Sequence, residues 1–194
     1  MSAETRSSTV VGISGSLREH SFNSRLLQAA TLLAPSGMEI KVYGGMGSLP
    51  YYNADLDHDR PPSEVTELRQ RIAEADGLLI ATPEFNYSIP GVLKNALDWA
   101  SRPAGESSLF RKPVAIMGAS PGNFGTVRAQ RALRDVLLWT DSRVVTKPEV
   151  HVFHVTEQFE PDGMLNEGTA GLVSSLLSAL ADLISVAELD PVGA

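Results

Sequence analysis

Between Thr82 and Trp99 the sequence reads TPEFNYSIPGVLKNALDW. Directly after an apolar run it sets a carboxylate, two aromatic rings, an amide and a hydroxyl (Glu84, Phe85, Asn86, Tyr87, Ser88) between Pro83 and Pro90. An aromatic ligand needs flat apolar walls and a few polar groups at its edge. Phe85 and Tyr87 can form walls, and Asn86 and the loop N–H groups can reach ring nitrogens and carbonyls. Each residue also has a structural alternative. Phe85 can be core, Asn86 can form an Asx turn, and Glu84 can cap a helix or face solvent. Together, at one place in the chain, they point to a site.

A second stretch, SGSLREHSFN from Ser14 to Asn23, has the chemistry of an anion cradle. A strand ends, small residues follow, and a helix begins near Asn23. Small side chains let backbone N–H groups face a ligand, and a helix N-terminus favours negative charge. Ser16, Ser21 and Asn23 add polar groups, and Arg18 adds a permanent charge with a fork of donors. A phosphate monoester carries roughly −1.5 to −2 charges at neutral pH. The bland alternative is a strand-to-helix turn with a Ser or Asn cap. The sequence has no G-x-x-x-x-G-K-[ST] and no G-x-G-x-x-G, because Gly12 and Gly15 are spaced G-x-x-G. A ligand with one phosphate, a mononucleotide, fits better than a dinucleotide held in the Rossmann manner.

A third stretch, SPGNFG from Ser120 to Gly125, has glycines that permit close approach of backbone to a ligand. Other candidates carry less. His151 and His154 have H-x-x-H spacing but no third ligand nearby in sequence, so they read as surface or packing histidines. Arg128, Arg131 and Arg134 follow helical spacing and read as a solvated or interface stripe. No G-x-S-x-G elbow and no localised Ser/His/Asp set is present.

The elements that must position these stretches alternate in type. Val10–Ile13, Met38–Tyr43, Gly77–Ala81, Pro113–Ala119 and Arg143–Thr146 read as strands. Helical spacing of apolar residues predicts helices from Asn23 to Leu33, from Ser63, from Pro90, from Gly125 to Leu138, and from Asn166 to about Leu189. Gly44–Pro62 reads as a long loop. Strand and helix in alternation imply an α/β fold, a parallel sheet covered on both faces. Five such units commonly take the strand order 2-1-3-4-5, and ligands bind at the carboxyl ends of the strands where that order reverses. The loops after strands 1, 3 and 4 are the three stretches above. That convergence is the strongest physical argument for a site.

The chain of 194 residues suits a single domain spanning 1–194, with 1–8 as a polar, flexible tail. It contains no cysteine, which excludes disulfides, thiolate metal sites and thiol redox chemistry. Electron transfer would need a bound cofactor. The net charge of −7 opposes binding to nucleic acid and to anionic membranes. No uninterrupted apolar run reaches about 18 residues, so no membrane span is expected and a cytoplasmic location is the simplest reading.

Taken together, GSLREHSFN, TPEFNYSIPGVLKNALDW and SPGNFG resemble the NADPH-dependent FMN reductase family, the flavodoxin-like group that includes bacterial quinone, chromate and azo-dye reductases. The resemblance runs from about Val10 to about Val150 and rests on the patterns G-S-L-R-x-x-S-x-N and P-E-[YF]-N-x-S-x-P-G-x-L-K-N-x-[IL]-D-W. It implies a flavodoxin-like three-layer α/β/α sandwich with a five-stranded parallel sheet. It further implies bound FMN, with NADPH or NADH as co-substrate and ping-pong hydride transfer. The electron acceptor would be a small molecule: a quinone, flavin, azo dye or metal oxyanion. By the same resemblance Ser16, Arg18, Ser21, Phe22 and Asn23 would hold the FMN phosphate. Pro83, Glu84, Phe85, Asn86 and Tyr87 would border the flavin ring, and Ser120, Gly122 and Gly125 would approach it from the third loop. No side chain need act as catalytic acid or base. Family members are commonly homodimers or homotetramers, with Trp99, Trp139 and the arginine stripe as interface candidates here. Two departures stand out: Phe85 replaces the frequent tyrosine, and Thr126 follows Gly125 where many members have a second glycine. Two other functions remain open on this fold: a flavodoxin-type one-electron carrier, and a flavin-free binding or regulatory module. The arginine in the phosphate loop argues against the carrier.

Overall fold

The computed structural model describes residues 7–58 and 60–189. Its strands are β1 (Ser8–Ser14), β2 (Met38–Val42), β3 (Gly77–Ala81), β4 (Pro113–Ala119), β5 (Arg143–Val144) and β6 (Val150–Val152). Its α-helices are α1 (Phe22–Leu32), α2 (Ser63–Glu74), α3 (Gly91–Ala100), α4 (Val127–Trp139) and α5 (Glu167–Leu189). The expected tail at 1–8 lies mostly outside the described residues, and Ser8 already opens β1.

The strands run parallel in the order β2-β1-β3-β4-β5, as expected, with β6 as a sixth. The five-stranded expectation needs that correction. β5 and β6 share the outer edge of β4: Pro113 and Val114 pair with Arg143 and Val144, while Met117 to Ala119 pair with Val150 to Val152. The last strand position is therefore filled twice, by two short pieces.

Strand alternation divides the core. Val10, Leu79, Ala81, Ala115 and Met117 face α1 and α5, whereas Val11, Ile13, Leu78, Ile80, Val114 and Ile116 face α2, α3 and α4. β3 and β4 are buried along their whole length, which is why GLLIA and PVAIMGA read as continuous apolar runs. Helix α5 is long, with mean hydropathy 1.8 over Glu167–Ala187, enough by length and composition to cross a membrane. Here its stripe Val173, Leu176, Leu177, Leu180 and Ile184 is buried on the sheet, at the spacing of an amphipathic core helix.

The second half of TPEFNYSIPGVLKNALDW serves the scaffold. Asn95 and Trp99, one turn apart on α3, both donate to the carbonyl of Pro50, at 2.9 and 2.8 Å. Asn95 Oδ1 accepts the Tyr52 N–H at 2.7 Å, and Tyr52 packs edge-on against Trp99. These bonds fasten the segment after β2, which holds two 3₁₀ turns rather than being a plain loop. Trp99 is fully buried, so its expected role as an interface residue is corrected.

Candidate active site

The loops after β1, β3 and β4 meet at the carboxyl edge of the sheet. They enclose a hollow of about 180 Å³ lined by Ser16, Arg18, Ser21, Phe22 and Asn23 from the first, Pro83, Glu84 and Phe85 from the second, and Ala119, Ser120 and Pro121 from the third. Larger hollows of about 410 Å³ beside Tyr43 and about 540 Å³ beside Trp139 lie away from this convergence.

The first loop is tied to itself. Ser14 Oγ accepts the Ser16 N–H at 3.3 Å and pairs with Ser24 Oγ at 2.8 Å, and Ser16 Oγ accepts the Arg18 N–H at 3.3 Å. Ser21 is the N-cap of α1, its hydroxyl accepting the Ser24 N–H. Helix geometry leaves the N–H groups of Phe22 and Asn23 without intrahelical partners, at the lip of the hollow. Arg18 is exposed at the rim and donates to the carbonyl of His20 at 2.7 Å. The Asn23 side chain is 3% exposed and already committed. Its Nδ2 donates to the Ala119 carbonyl at 3.0 Å and its Oδ1 accepts the Ala119 N–H at 2.9 Å. The amide is therefore a strut joining the first loop to the end of β4, which leaves only the Asn23 backbone N–H to offer a ligand.

The second loop is a two-residue hairpin. Phe85 and Ser88 exchange backbone hydrogen bonds of 2.9 and 3.0 Å, and the residues between them both have positive φ, Asn86 at 50° and Tyr87 at 68°. This pair of left-handed residues marks a type I′ turn, whose usual sequence is Asn-Gly. Asn86 suits it; Tyr87 pays steric strain there. Phe85 is 53% and Tyr87 72% exposed, so neither is core. Glu84 points the other way, toward α4. Its Oε2 accepts the N–H groups of Arg128 and Ala129 at 3.0 and 3.2 Å, and its Oε1 takes Arg128 Nη1 at 2.6 Å. Burial pushes the Glu84 carboxyl up, but the Arg128 side chain and the two N–H groups outweigh it and hold the group below the usual carboxylate range. Glu84 is thus a helix cap that also lines the hollow.

In the third loop Ser120 Oγ accepts the Gly122 N–H at 3.0 Å. Gly125 has φ +51°, and a Cβ there would lie 2.8 Å from the carbonyl carbon of His151, so a side chain is doubly excluded. Strand β6 and the turn after it brace this loop. Ser120 N–H donates to Val152 O, Val155 N–H to Ser120 O and His154 N–H to Gly122 O, at 2.9, 3.1 and 3.2 Å. Thr126 occupies a glycine-like conformation at φ 69° with its side chain buried. His151 and His154 belong to this brace, and among the described residues no group of three metal-ligating side chains exists.

Sequence reasoning missed Arg128. It sits in the first turn of α4, where a cation opposes the helix dipole. That misplacement was the available signal: a base at a helix start implies an acid beside it, and Glu84 supplies it. The expectation of a merely solvated or interface arginine at 128 is corrected.

Comparison with known proteins agrees with this geometry. The family profile described as NADPH-dependent FMN reductase matches residues 8–157. The chain is 46% identical over 172 residues to an NAD(P)H-dependent FMN reductase of Pseudomonas aeruginosa, covering 88% of this chain and 92% of that protein. It is 44% identical over 169 residues to a 2-hydroxy-1,4-benzoquinone reductase of a Burkholderia species, covering 86% and 91%. Among solved structures, FerB, a flavoenzyme NAD(P)H:(acceptor) oxidoreductase from Paracoccus denitrificans, aligns with a TM-score of 0.85 at 38% identity over 92% of this chain and 98% of that one. With the fold, the three loops and these relatives in agreement, the chain belongs to the NADPH-dependent FMN reductase family.

Proposed function

We propose that this chain is an FMN-bearing NAD(P)H:quinone oxidoreductase that works by a ping-pong cycle, NAD(P)H and the acceptor using one site in turn. Family membership makes it an oxidoreductase of the FMN and NAD(P)H class. The observation that carries the finer reading is the meeting of two unlike surfaces at one strand edge. One is a helix start with Ser16, Ser21 and Arg18; the other is the exposed aromatic shelf of Phe85 and Tyr87.

The residues fit the cofactor. The helix N-terminus, the hydroxyls of Ser16 and Ser21 and the Arg18 guanidinium suit a phosphate, each charged hydrogen bond contributing about 1.5–3 kcal/mol. Pro83, Phe85, Asn86 and Tyr87 would border the cofactor's planar ring. Ser120 and Gly122 would do so from the third loop, where small side chains let backbone come close, and Gly125, packed on His151, would shape that loop. Bound FMN supplies the hydride acceptor and donor at its N5. The chain's part is to bind and orient. The carboxylate lining the hollow, Glu84, is neutralised by Arg128, which fits a reaction that needs no protein acid or base.

A quinone is the favoured acceptor, because several relatives at 35–44% identity bear quinone reductase names. Free flavin, azo dyes and metal oxyanions are the alternatives. We further read the protein as a homodimer or homotetramer. Trp139 is 90% exposed and shares a surface hollow with the exposed ring of Phe110, an apolar patch that a second copy would cover. Light scattering after size exclusion tests that: a monomer at micromolar concentration would end it.

The test of function is an anaerobic titration of the FMN-loaded protein. NADPH or NADH should bleach the flavin band rapidly, and added benzoquinone should restore it with one quinone consumed per nicotinamide. A flavin that stays oxidised with both donors would sink the reading and leave a carrier reduced by another protein.

A further inference from the structure

Arg128 touches both of the loops that border the ring site. Its guanidinium lies 4.0 Å from the ring centre of Tyr87 and 4.1 Å from that of Phe124, one ring from each loop. Its Nη1 also holds Glu84. Glu84 and Tyr87 on one side, and Phe124 and the start of α4 on the other, therefore converge on a single side chain. The loop after β3 needs an external tie, because the loop after β4 is already braced by β6. Asn86 and Tyr87 are non-glycine residues at positive φ, a conformation that persists only where its surroundings impose it. Tyr87 is 72% exposed, so core packing does not impose it on that turn. The stacking face of an arginine is flat and rigid, and its charge is matched here by an acid that is itself held by the helix start.

We infer that Arg128 is a positioning residue. It latches the loop after β3 to the loop after β4, and so sets the spacing between them and the affinity for FMN. This rests on the FMN reading above. Arg128 acts through the loops. Glu84 occupies its Nη1 and aromatic rings flank its guanidinium, which argues against the obvious rival role of anion receptor for a substrate phosphate.

Hydrogen exchange of the FMN-free protein, together with FMN titration by flavin fluorescence, tests the latch. Arg128→Ala should speed exchange in both 83–88 and 120–126 and raise the FMN Kd about tenfold or more, the scale of a lost ion pair with its ring contacts. Arg128→Lys keeps the charge for Glu84 but has no plane to lie between two rings. It should recover part of the loss, to within about fivefold of wild type. The double variant Tyr87→Leu/Phe124→Leu keeps the ion pair without the rings and should also loosen both loops. If Arg128→Ala does not fold, the lysine and double variants decide. An FMN Kd within about twofold of wild type in Arg128→Ala, or faster exchange in one loop alone, would overturn the latch. If the two variants that must then decide both leave exchange unchanged, that overturns it as well. A wild-type protein that fails to bind FMN would count against the proposed function, while exchange in the FMN-free chain still judges the latch.

Discussion

The two ends of the site are built in opposite ways. At the end proposed for the phosphate, Ser14, Ser16, Ser21 and Ser24 bond to one another or to backbone no more than ten residues away, and Asn23 drives a buried strut into β4. At the end proposed for the ring, β6 braces the loop after β4, and one ion pair and two exposed rings tie the strained turn of the loop after β3 to it. The first is made of local hydroxyl bonds and one buried strut between residues 96 apart. The second is a tertiary contact between residues 44 apart in sequence, Glu84 and Arg128. On the proposed function the lesson is a division of labour: a fixed anchor for the part of a ligand that does not react, and an adjustable frame for the part that does. Loops that must admit successive ligands are drawn from the less stable parts of a structure.

That contrast breaks first at Asn23. Asn23→Ala removes both bonds to Ala119 and leaves a buried N–H and a buried carbonyl unpaired. Each costs about 1–3 kcal/mol, so a loss of roughly 2–5 kcal/mol is expected in urea unfolding, with FMN binding lost alongside. A loss below about 1 kcal/mol would mean that the strut is not what makes this end rigid.

The ring end should be less costly to disturb. Glu84→Ala removes a cap and an ion-pair partner and is expected to cost about 1–2 kcal/mol. Its pH signature has a definite sign. The folded carboxyl titrates below its unfolded value, so the stability it contributes is present above the ordinary carboxylate pKa of about 4.3 and is lost as pH falls through the lower folded value. The stability gap between wild type and Glu84→Ala should therefore be constant above about pH 4.3 and narrow as pH falls below it. Parallel pH curves for the two proteins would show that Glu84 carries no linked charge. A smaller effect is expected at Tyr87. Tyr87→Asn suits the left-handed turn better, so stability should change by no more than about 0.5–1 kcal/mol. FMN should nevertheless bind more weakly, because a wall and a stacking face are gone. Stability and affinity falling together would contradict an adjustable frame.

This division also explains what the sequence disclosed. Strands β1, β3 and β4 are continuous apolar runs, and the phosphate loop is a local pattern, so both were legible. Three things were not. The three residues of β6 are too few to show a period, and they become a strand only because β4 has an edge left open beyond β5. Asn23 was read as a ligand donor because its type fits one, and nothing local reveals that Ala119, 96 residues away, takes both ends of its amide. Arg128 fell into a stripe of arginines with helical spacing, and its partner lies on another loop. In each case the deciding interaction is long-range, which periodicity and motif spacing do not encode. Thr126 is intermediate: its departure from a glycine pair was visible, and its backbone consequence was not.

Thr126 gives the finest test of the contrast, because opposing effects there nearly cancel. At φ 69° a β-branched residue carries strain of about 1–2 kcal/mol. Its side chain is buried, and Oγ1 accepts from Gln130 Nε2 at 3.2 Å. It also seals against Gly118, where a Cβ would sit 1.9 Å from Oγ1. Thr126→Gly releases the strain. It loses the methyl, worth about 0.8 kcal/mol, and the hydrogen bond, worth about 0.5–1.5 kcal/mol, and it adds about 0.5–1 kcal/mol of chain entropy. The net should be a loss near 1 kcal/mol. Thr126→Ala loses the same methyl and hydrogen bond but keeps the strain, so it should be the worse of the two by about 0.5–1 kcal/mol. Thr126 is the N-cap of α4, where glycine outranks alanine by about 0.5–1 kcal/mol in its own right, which widens the gap in the same direction. Thermal or urea unfolding of the two variants gives the ordering directly. If alanine proves better than glycine, Thr126 is not strained, the third loop needs no outside constraint, and the ring end is as self-sufficient as the phosphate end.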